Sequence, residues 1–316
     1  MLASSRVSET VCEVAFCIAT YQRPKGLERL LAGIADLTFT GPPPRLKVVV
    51  VDNDARGETS EEVVARWRDR LPGLVLEREP RQGISYARNR CLDAAGEPDF
   101  VAFIDDDEVP RPDWLDELLR VQREFAADVV RGPVIPRFDN QPESWILAGG
   151  FFDRPRHPTG TEMDVAYTHN TLVRWDPYAR NFRFSPRYAR SGGSDTHFFT
   201  RAHQQGARIV WADEALVDEF NPPGRQTVKW LAQRQYRIGL VRAALDAELR
   251  LTRRTRRTTW KHGTKRMRDG ARDLLKNLRG PKHEQVKSIN RFASGLGRVA
   301  GLFGLWFEEY RAGPSS

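Results

Sequence analysis

The sequence predicts an α/β protein: one mostly parallel sheet with helices between its strands, followed by C-terminal helices. Three observations predict it. Short apolar runs alternate with amphipathic helical patterns through the first 130 residues, the order that sets consecutive strands parallel with crossover helices between them. A Pro222-Pro223-Gly224 breaker then precedes a long stretch at helical spacing. Finally, 316 residues, 40% hydrophobic and 29% charged, suffice for one large folded domain plus an appendage.

The elements follow in order. Strands are predicted over 14–20, 47–53, 74–79 and 100–105. Between the first two, Leu27, Leu30, Leu31, Ile34 and Leu37 recur at helical spacing within 25–37 and give one apolar stripe, a crossover helix. Further helices are predicted over 60–70, 85–95 and 114–125. The stretch 128–220 mixes short strands (129–136, 168–175, 207–211) with Pro- and Gly-rich loops, the irregular texture of a substrate-shaping region. A long helix over 227–249 carries Trp230, Leu231, Tyr236, Ile238 and Leu240. An amphipathic stretch, 292–310, closes the pattern with Leu296, Val299, Leu302, Phe303, Leu305, Trp306 and Phe307.

Charge is unevenly placed. Residues 250–282 hold thirteen Lys/Arg against Asp269 and Asp273, a local balance of +11, which leaves −3 for the rest of a +8 chain. Cys12, Cys17 and Cys91 form no CxxC pair and two lie in apolar runs, so buried thiols in a reducing compartment are expected. No charged-then-apolar leader precedes Val11, and no apolar stretch reaches the roughly 18 to 20 residues of a spanning helix. The expectation is a cytoplasmic protein, peripheral on the inner face of the cell membrane.

The chemistry concentrates where the fourth strand ends, in Phe100-Val-Ala-Phe-Ile-Asp105-Asp106-Asp107-Glu108. Adjacent carboxylates repel, and a hard cation such as Mg2+ or Mn2+ that itself holds phosphates accounts for them. A solvated acidic turn is the bland alternative. The neighbouring strand ends argue against it: Ala19-Thr20-Tyr21-Gln22-Arg23-Pro24, Val51-Asp52-Asn53-Asp54, and Pro80-Arg81-Gln82-Gly83-Ile84-Ser85-Tyr86-Ala87-Arg88-Asn89. In a parallel sheet such ends share one edge, so residues some 50 positions apart line one crevice.

This combination resembles the inverting family 2 glycosyltransferases of the GT-A fold, a Rossmann-like nucleotide-diphospho-sugar transferase sheet, in a branch of bacterial exopolysaccharide type. Matching positions run over roughly 14–240; Ala19 and Gln22 stand where Pro and Asn are usual. The resemblance implies a catalytic domain over 1–226, with a nucleotide-sugar half (11–130) and an acceptor half (131–226), and a helical, basic and amphipathic extension over 227–316. It implies that Thr20 and Tyr21 line the nucleoside pocket, with Arg23 and Asp54 beside it, and that Asp52 accepts a hydrogen bond from uracil or another base. Gly83 and Arg88 belong to a segment closing over the nucleotide, Arg88 near the phosphates. Asp105 and Asp106 face the donor, and Asp107, with Asp105, binds the Mn2+ or Mg2+ that neutralises the leaving diphosphate.

Inversion also needs a base for the acceptor hydroxyl. In Ser191-Gly-Gly-Ser-Asp195-Thr-His-Phe-Phe199, Asp195 falls at the start of a helix running to about 205 and takes that role by resemblance, with Ser194 in place of the usual Glu. A helix cap is the bland reading of the same pair. The family's last signature survives as Arg234-Gln-Tyr-Arg237-Ile238, whose arginines contact acceptor or diphosphate. Ile238 in place of Trp points to single-sugar transfer rather than polymer synthesis. Asn170, with His169, resembles a strand facing the acceptor. His197 is weighed as a third metal ligand against a packing role, and Trp145, Phe151 and Phe152 as an acceptor-stacking loop against plain core.

The expected partners are a nucleotide-diphosphate sugar, a glycan or lipid-linked acceptor, and an anionic membrane surface met through 250–310. Packing on the domain or on a second subunit is the alternative for that segment. No nucleic acid is expected, because no reading motif accompanies the charge. Two rivals share the pattern. A sugar-1-phosphate nucleotidyltransferase calls for a Gly-x-Gly-x-Arg-Leu loop that 19–25 lacks. A non-catalytic basic adaptor for membrane or nucleic acid is opposed by intact Asp105, Asp107 and Asp195.

Overall fold

The structure, a computed structural model, describes residues 11–54, 58–249 and 256–305. Its first half alternates strand and helix: β1 (Glu13–Thr20), α1 (Pro24–Ala35), β2 (Arg45–Asp52), α2 (Glu58–Trp67), β3 (Leu74–Arg78), α3 (Ile84–Ala95) and β4 (Phe100–Phe103). Then follow β5 (Glu108–Pro110), α4 (Trp114–Phe125), β6 (Val129–Arg131), β7 (Val134–Phe138), α5 (Ser144–Gly149), β8 (Glu162–Met163), β9 (Thr171–Arg174), α6 (Ser194–Gln204), β10 (Ile209–Trp211) and β11 (Val217–Asn221). Three helices end the chain: α7 (Val228–Glu248), α8 (Arg256–Lys276) and α9 (Lys282–Gly301).

Eight strands form the main sheet in the order β3-β2-β1-β4-β9-β6-β10-β8. Only β9 and β8 run against the others. The central strands are unbroken apolar runs because both faces are covered. Successive side chains point to opposite sides, so Phe16, Ile18, Val48 and Val50 pack with Leu27, Leu30, Leu31 and Trp114 on one face. Cys17, Val49, Val51 and Phe103 pack with Cys91, Phe184, Phe198 and Phe199 on the other. Phe103 meets the last three rings edge-on at 5.6, 6.5 and 6.4 Å. Cys17 and Cys91 are buried free thiols, as expected.

Register brings the polar strand ends together. Thr20 pairs with Asp52, and Asp52 with Arg78, so the segments after β1, β2 and β3 leave the sheet at one level. The strand predicted over 129–136 is two strands in two sheets. Pro133 separates them; lacking an N–H it cannot continue a central ladder, and β7 leaves to join β5 and β11 in a three-stranded sheet.

Thr227 caps α7 by accepting a hydrogen bond from the Trp230 amide at 3.1 Å. The final helix begins earlier than the amphipathic pattern suggested, at Lys282, because Pro281 opens it. It lies between α7 and α8, close enough that a Cβ on Gly297 would fall 1.9 Å from the Tyr236 carbonyl. The basic stretch at 250–255 and the aromatics Trp306 and Phe307 lie outside the described residues.

Candidate active site

A cavity of about 410 Å³ opens where β1, β2 and β4 end, walled on its far side by β11 and the start of α7. Thr20, Tyr21, Arg23, Asn53, Gln82, Ile84, Arg88 and Asp105 to Asp107 line it from the sheet side. Glu219, Asn221, Arg225, Trp230, Arg234 and Arg237 line it from the other.

The acid triplet follows from a tight turn out of β4. The Asp105 amide donates to the buried Glu108 carboxylate at 2.9 Å, and the Glu108 amide returns to the Asp105 carbonyl at 3.0 Å. Burial holds Glu108 well above the usual carboxylate range. Asp106 turns inward: Thr20 Oγ1 donates to it at 2.9 Å and Arg23 at 2.8 Å. Burial pushes its pKa up to about 6 against the pull of Arg23 and with a push from Asp107. Asp107 pairs with Arg225 at 2.8 Å and Arg23 at 3.1 Å, and its carbonyl accepts from the Phe220 amide at 2.8 Å, fastening the triplet to β11. Asp105, which lines the cavity with 37% of its side chain exposed, meets Arg88 at 3.3 Å. Its pKa is raised by burial, opposed by Arg88, with Asp107, Asp195 and Glu219 adding to the rise.

Two carboxylates one residue apart thus line the cavity while the middle one anchors the turn. That donor set, two carboxylates beside a cavity, fits a hard divalent ion that takes further oxygen ligands from elsewhere. Among the described residues no group of three His, Cys, Asp or Glu side chains could hold a metal unaided. His197 is not a third ligand: its Nε2 lies 3.1 Å from Glu248 on α7 and its ring packs on Tyr188.

Arg88 ties the triplet to α6. Its Nη1 meets Ser194 Oγ at 3.2 Å while Nη2 meets Asp105, which brings the first turn of α6, and Asp195 with it, to the acid side of the cavity. Asp195 does not line the cavity itself, but its charge is felt at Asp105 and Arg131. Arg234, half-buried, is lowered to about 10 by desolvation and by Arg154, Arg237 and Arg225, with Glu219 opposing. A wall of guanidinium groups therefore faces the carboxylates. His169 lies within reach of it: burial and the charges of Arg154, Arg131, Arg88 and Arg234 push its imidazole well below the ordinary range.

Other expected residues stand elsewhere. Asp52, at the end of β2, is buried and absent from the cavity lining; its carboxylate accepts from the Asp54 amide at 2.8 Å, and Asn53 lines the cavity beside it. Asn53 pins the next loop instead, donating to the Glu79 and Arg81 carbonyls at 2.8 and 2.9 Å and accepting from Gly83 N at 2.7 Å. Asp54 turns to Gln22 at 2.9 Å. Gly83, with φ +142°, leaves no room for a side chain: a Cβ would fall 2.7 Å from that of Ala189.

Asn170 departs furthest from its expected place at the acceptor. It is fully buried, accepts from Trp114 Nε1 at 2.6 Å and donates to the Pro133 and Ala215 carbonyls at 2.7 Å each. It is a structural knot. Asn170→Ala strands those groups and leaves a non-Gly residue at φ +50°, and is expected to cost about 3 kcal/mol. A urea titration checks it through a lower midpoint at unchanged slope. Trp145 and Phe152 are core, and the aromatic cluster reaches the cavity through Trp230, stacked on Phe152 at 6.1 Å.

Glu219, Asn221, Arg225 and Trp230 were not foreseen as site residues. Arg225 follows a Pro-Pro-Gly run readable only as a breaker, and β11 is too polar to stand out as a strand.

An open mostly parallel sheet with an acid triplet at its C-terminal edge and a guanidinium wall opposite defines a glycosyltransferase of GT-A fold. The chain belongs to glycosyl transferase family 2, whose model matches residues 15–182. It is 37% identical over 235 residues to succinoglycan biosynthesis protein ExoM of Rhizobium meliloti (strain 1021), covering 73% of this chain and 74% of that one. It is 24% identical over 234 residues to glycosyltransferase AglE of Haloferax volcanii, 74% of each. Among solved structures, S. aureus TarS 1-349 in complex with UDP-GlcNAc superposes with a TM-score of 0.55 over 90% of both chains at 16% identity. GalNAc-T7 with UDP, GalNAc and Mn2+ gives 0.54 over 75% of this chain and 51% of the other at 12% identity. Those two likenesses establish the fold.

Proposed function

We propose that the cavity takes a uridine diphosphate sugar with Mn2+ or Mg2+, and that the enzyme moves one sugar, with inversion, to a hydroxyl of a glycan or lipid-linked acceptor. The observation that carries this reading is the single cavity in which Asp105 and Asp107 face Arg225, Arg234 and Arg237. A diphosphate matches both walls: its oxygens complete a cation held by the carboxylates and accept from the guanidinium groups. TarS was solved with UDP-GlcNAc, GalNAc-T7 with UDP and Mn2+, and one relative 24% identical over 250 residues is a glucosyl-dolichyl phosphate glucuronosyltransferase. These names support a uridine donor and a lipid-linked acceptor.

When bound, the ion supplies positive charge against the negative charge that builds on the leaving diphosphate. Asp105 and Asp107 would hold it. Arg225, paired with Asp107 at 2.8 Å, would direct its charge to the diphosphate beside Arg234 and Arg237. Thr20, Tyr21 and Asn53 bound the nucleoside end. Asp195 accepts the proton of the attacking hydroxyl from the face opposite the diphosphate. Acceptors presented at an anionic membrane surface suit the cationic extension over 250–310, whose described part exposes Trp260 against Phe303 at 6.1 Å. No helix among the described residues is long and apolar enough to cross a membrane.

Arg225→Ala is expected to raise the donor KM about tenfold, the worth of one charge-assisted hydrogen bond, with kcat lowered less. Steady-state kinetics against UDP-sugars checks it. Proton NMR of the product tests the reaction: a glycosidic bond of anomeric configuration opposite to the donor's supports the reading, and a retained configuration or a nucleotidyl product overturns it.

A further inference from the structure

The α8–α9 hairpin carries a second cleft, of about 440 Å³, lined by charged side chains and sharing no residue with the donor cavity. His262, Lys265, Arg266 and Asp269 line it from α8, and Arg291 and Arg298 from α9. On α8 these positions fall at i, i+3, i+4 and i+7, one flank of the helix. Their pairing is uneven. Arg291 is bound to Asp273, Arg298 lies 4.0 Å from Asp246, and Asp269 is held by Arg268 and Arg272 at 3.6 and 3.9 Å. His262, Lys265 and Arg266 have no hydrogen bond or ion pair with any described residue.

Two of the cleft's cations, Arg291 and Arg298, have acid partners in Asp273 and Asp246 while Lys265 and Arg266 beside them have none among the described residues, so the like charges brought together from two helices repel unless an anion lies between them. Arg266 registers this although its side chain is exposed: partial desolvation lowers its pKa, and the neighbouring charge of Arg291 lowers it further. A solvated helix face has no such conflict, because its cations point apart.

We propose that this cleft is an anion site for a phosphate-bearing group, seated between Lys265 and Arg266 of α8 and Arg291 and Arg298 of α9. The volume admits more than one phosphate, and Arg266 and Arg291 supply the fork geometry that phosphate oxygens accept. The same chemistry is offered by a soluble phosphorylated compound and by the headgroup of an acidic lipid. The inference stands apart from the reaction assigned to the donor cavity, and its test reads binding alone.

Lys265→Ala/Arg266→Ala in the full chain is compared with wild type, thermal melting first showing equal stability, as expected for two exposed side chains. Calorimetric titration with inorganic pyrophosphate in EDTA forms one arm, and sedimentation with phosphatidic acid vesicles against phosphatidylcholine vesicles the other. The donor cavity is unaltered in both proteins, so the difference between them reports the cleft. Pyrophosphate binding weakened about tenfold in the variant identifies a soluble phosphate ligand, and loss confined to phosphatidic acid vesicles identifies a headgroup, the size being that of one charge-assisted contact. Equal behaviour of variant and wild type in both arms overturns the proposal. So does binding of neither probe by wild type.

Discussion

Asp195→Asn is expected to lower kcat by about 10³-fold, within the range by which a positioned general base contributes, while leaving nucleotide affinity within about twofold. The substitution preserves the shape of the second residue of α6 and removes its capacity to take a proton. It lies outside the lining of the donor cavity, so ground-state binding of the donor has no reason to change. Ser194, whose hydroxyl meets Arg88, is the informative neighbour. Ser194→Ala loosens the tie between α6 and Asp105 without touching the proton, so a fall of about tenfold is expected there. Both numbers come from initial rates with donor and acceptor saturating. A helix-capping role for Asp195 predicts the contrary: lower stability with kcat preserved.

The second large effect belongs to Asp107. Asp107→Ala, or removal of divalent ions by chelation, is expected to reduce turnover by at least about 10³-fold, because charge on the departing diphosphate loses its main compensation. The variant should also show a change of sign in one property. Arg225, paired with Asp107, is released to the cavity while Arg23 keeps its bond to Asp106, so weak metal-independent binding of UDP persists or strengthens. Asp106→Ala behaves differently, since that carboxyl bonds Thr20 and Arg23 beneath the turn. It is expected to shift donor KM through a displaced turn. Rates with added Mn2+ separate the two: an excess of ion partly rescues Asp106→Ala and leaves Asp107→Ala inactive.

Much of this architecture was legible because β1, β2 and β4 are covered on both faces and therefore read as unbroken apolar runs. The polar residues at their ends had only one edge to occupy, and Thr20, Tyr21, Arg23, Arg88 and the acid triplet meet there. Arg234 and Arg237 were legible through their resemblance to the family's last signature, and they line the cavity from α7. What sequence left obscure has a common cause in long-range partners. Asn170 bonds across separations of 37, 45 and 56 residues, which no local pattern reveals, and a polar residue beside His169 was read as facing a ligand when it closes the core. Asp52, expected at the base, is buried with its carboxylate on the Asp54 amide, and Asn53 beside it spends its amide on the loop that follows β3. Glu219 and Arg225 come from a short polar strand, the middle one of the three-stranded sheet, and the turn after it, where alternation is too weak to signal a strand.

The central claim is that carboxylates and guanidinium groups on opposite walls of one cavity hold a metal-bridged nucleoside diphosphate. Calorimetric titration of the purified chain with UDP, GDP and dTDP, each with and without Mn2+ and repeated on Asp107→Ala, tests it most directly. The account predicts that UDP binds at least tenfold more tightly with Mn2+, by about 1.4 kcal/mol, that this gain vanishes in Asp107→Ala, and that GDP and dTDP bind more weakly. Absence of binding by all three nucleotides, or a Mn2+ gain that survives in Asp107→Ala, would contradict it.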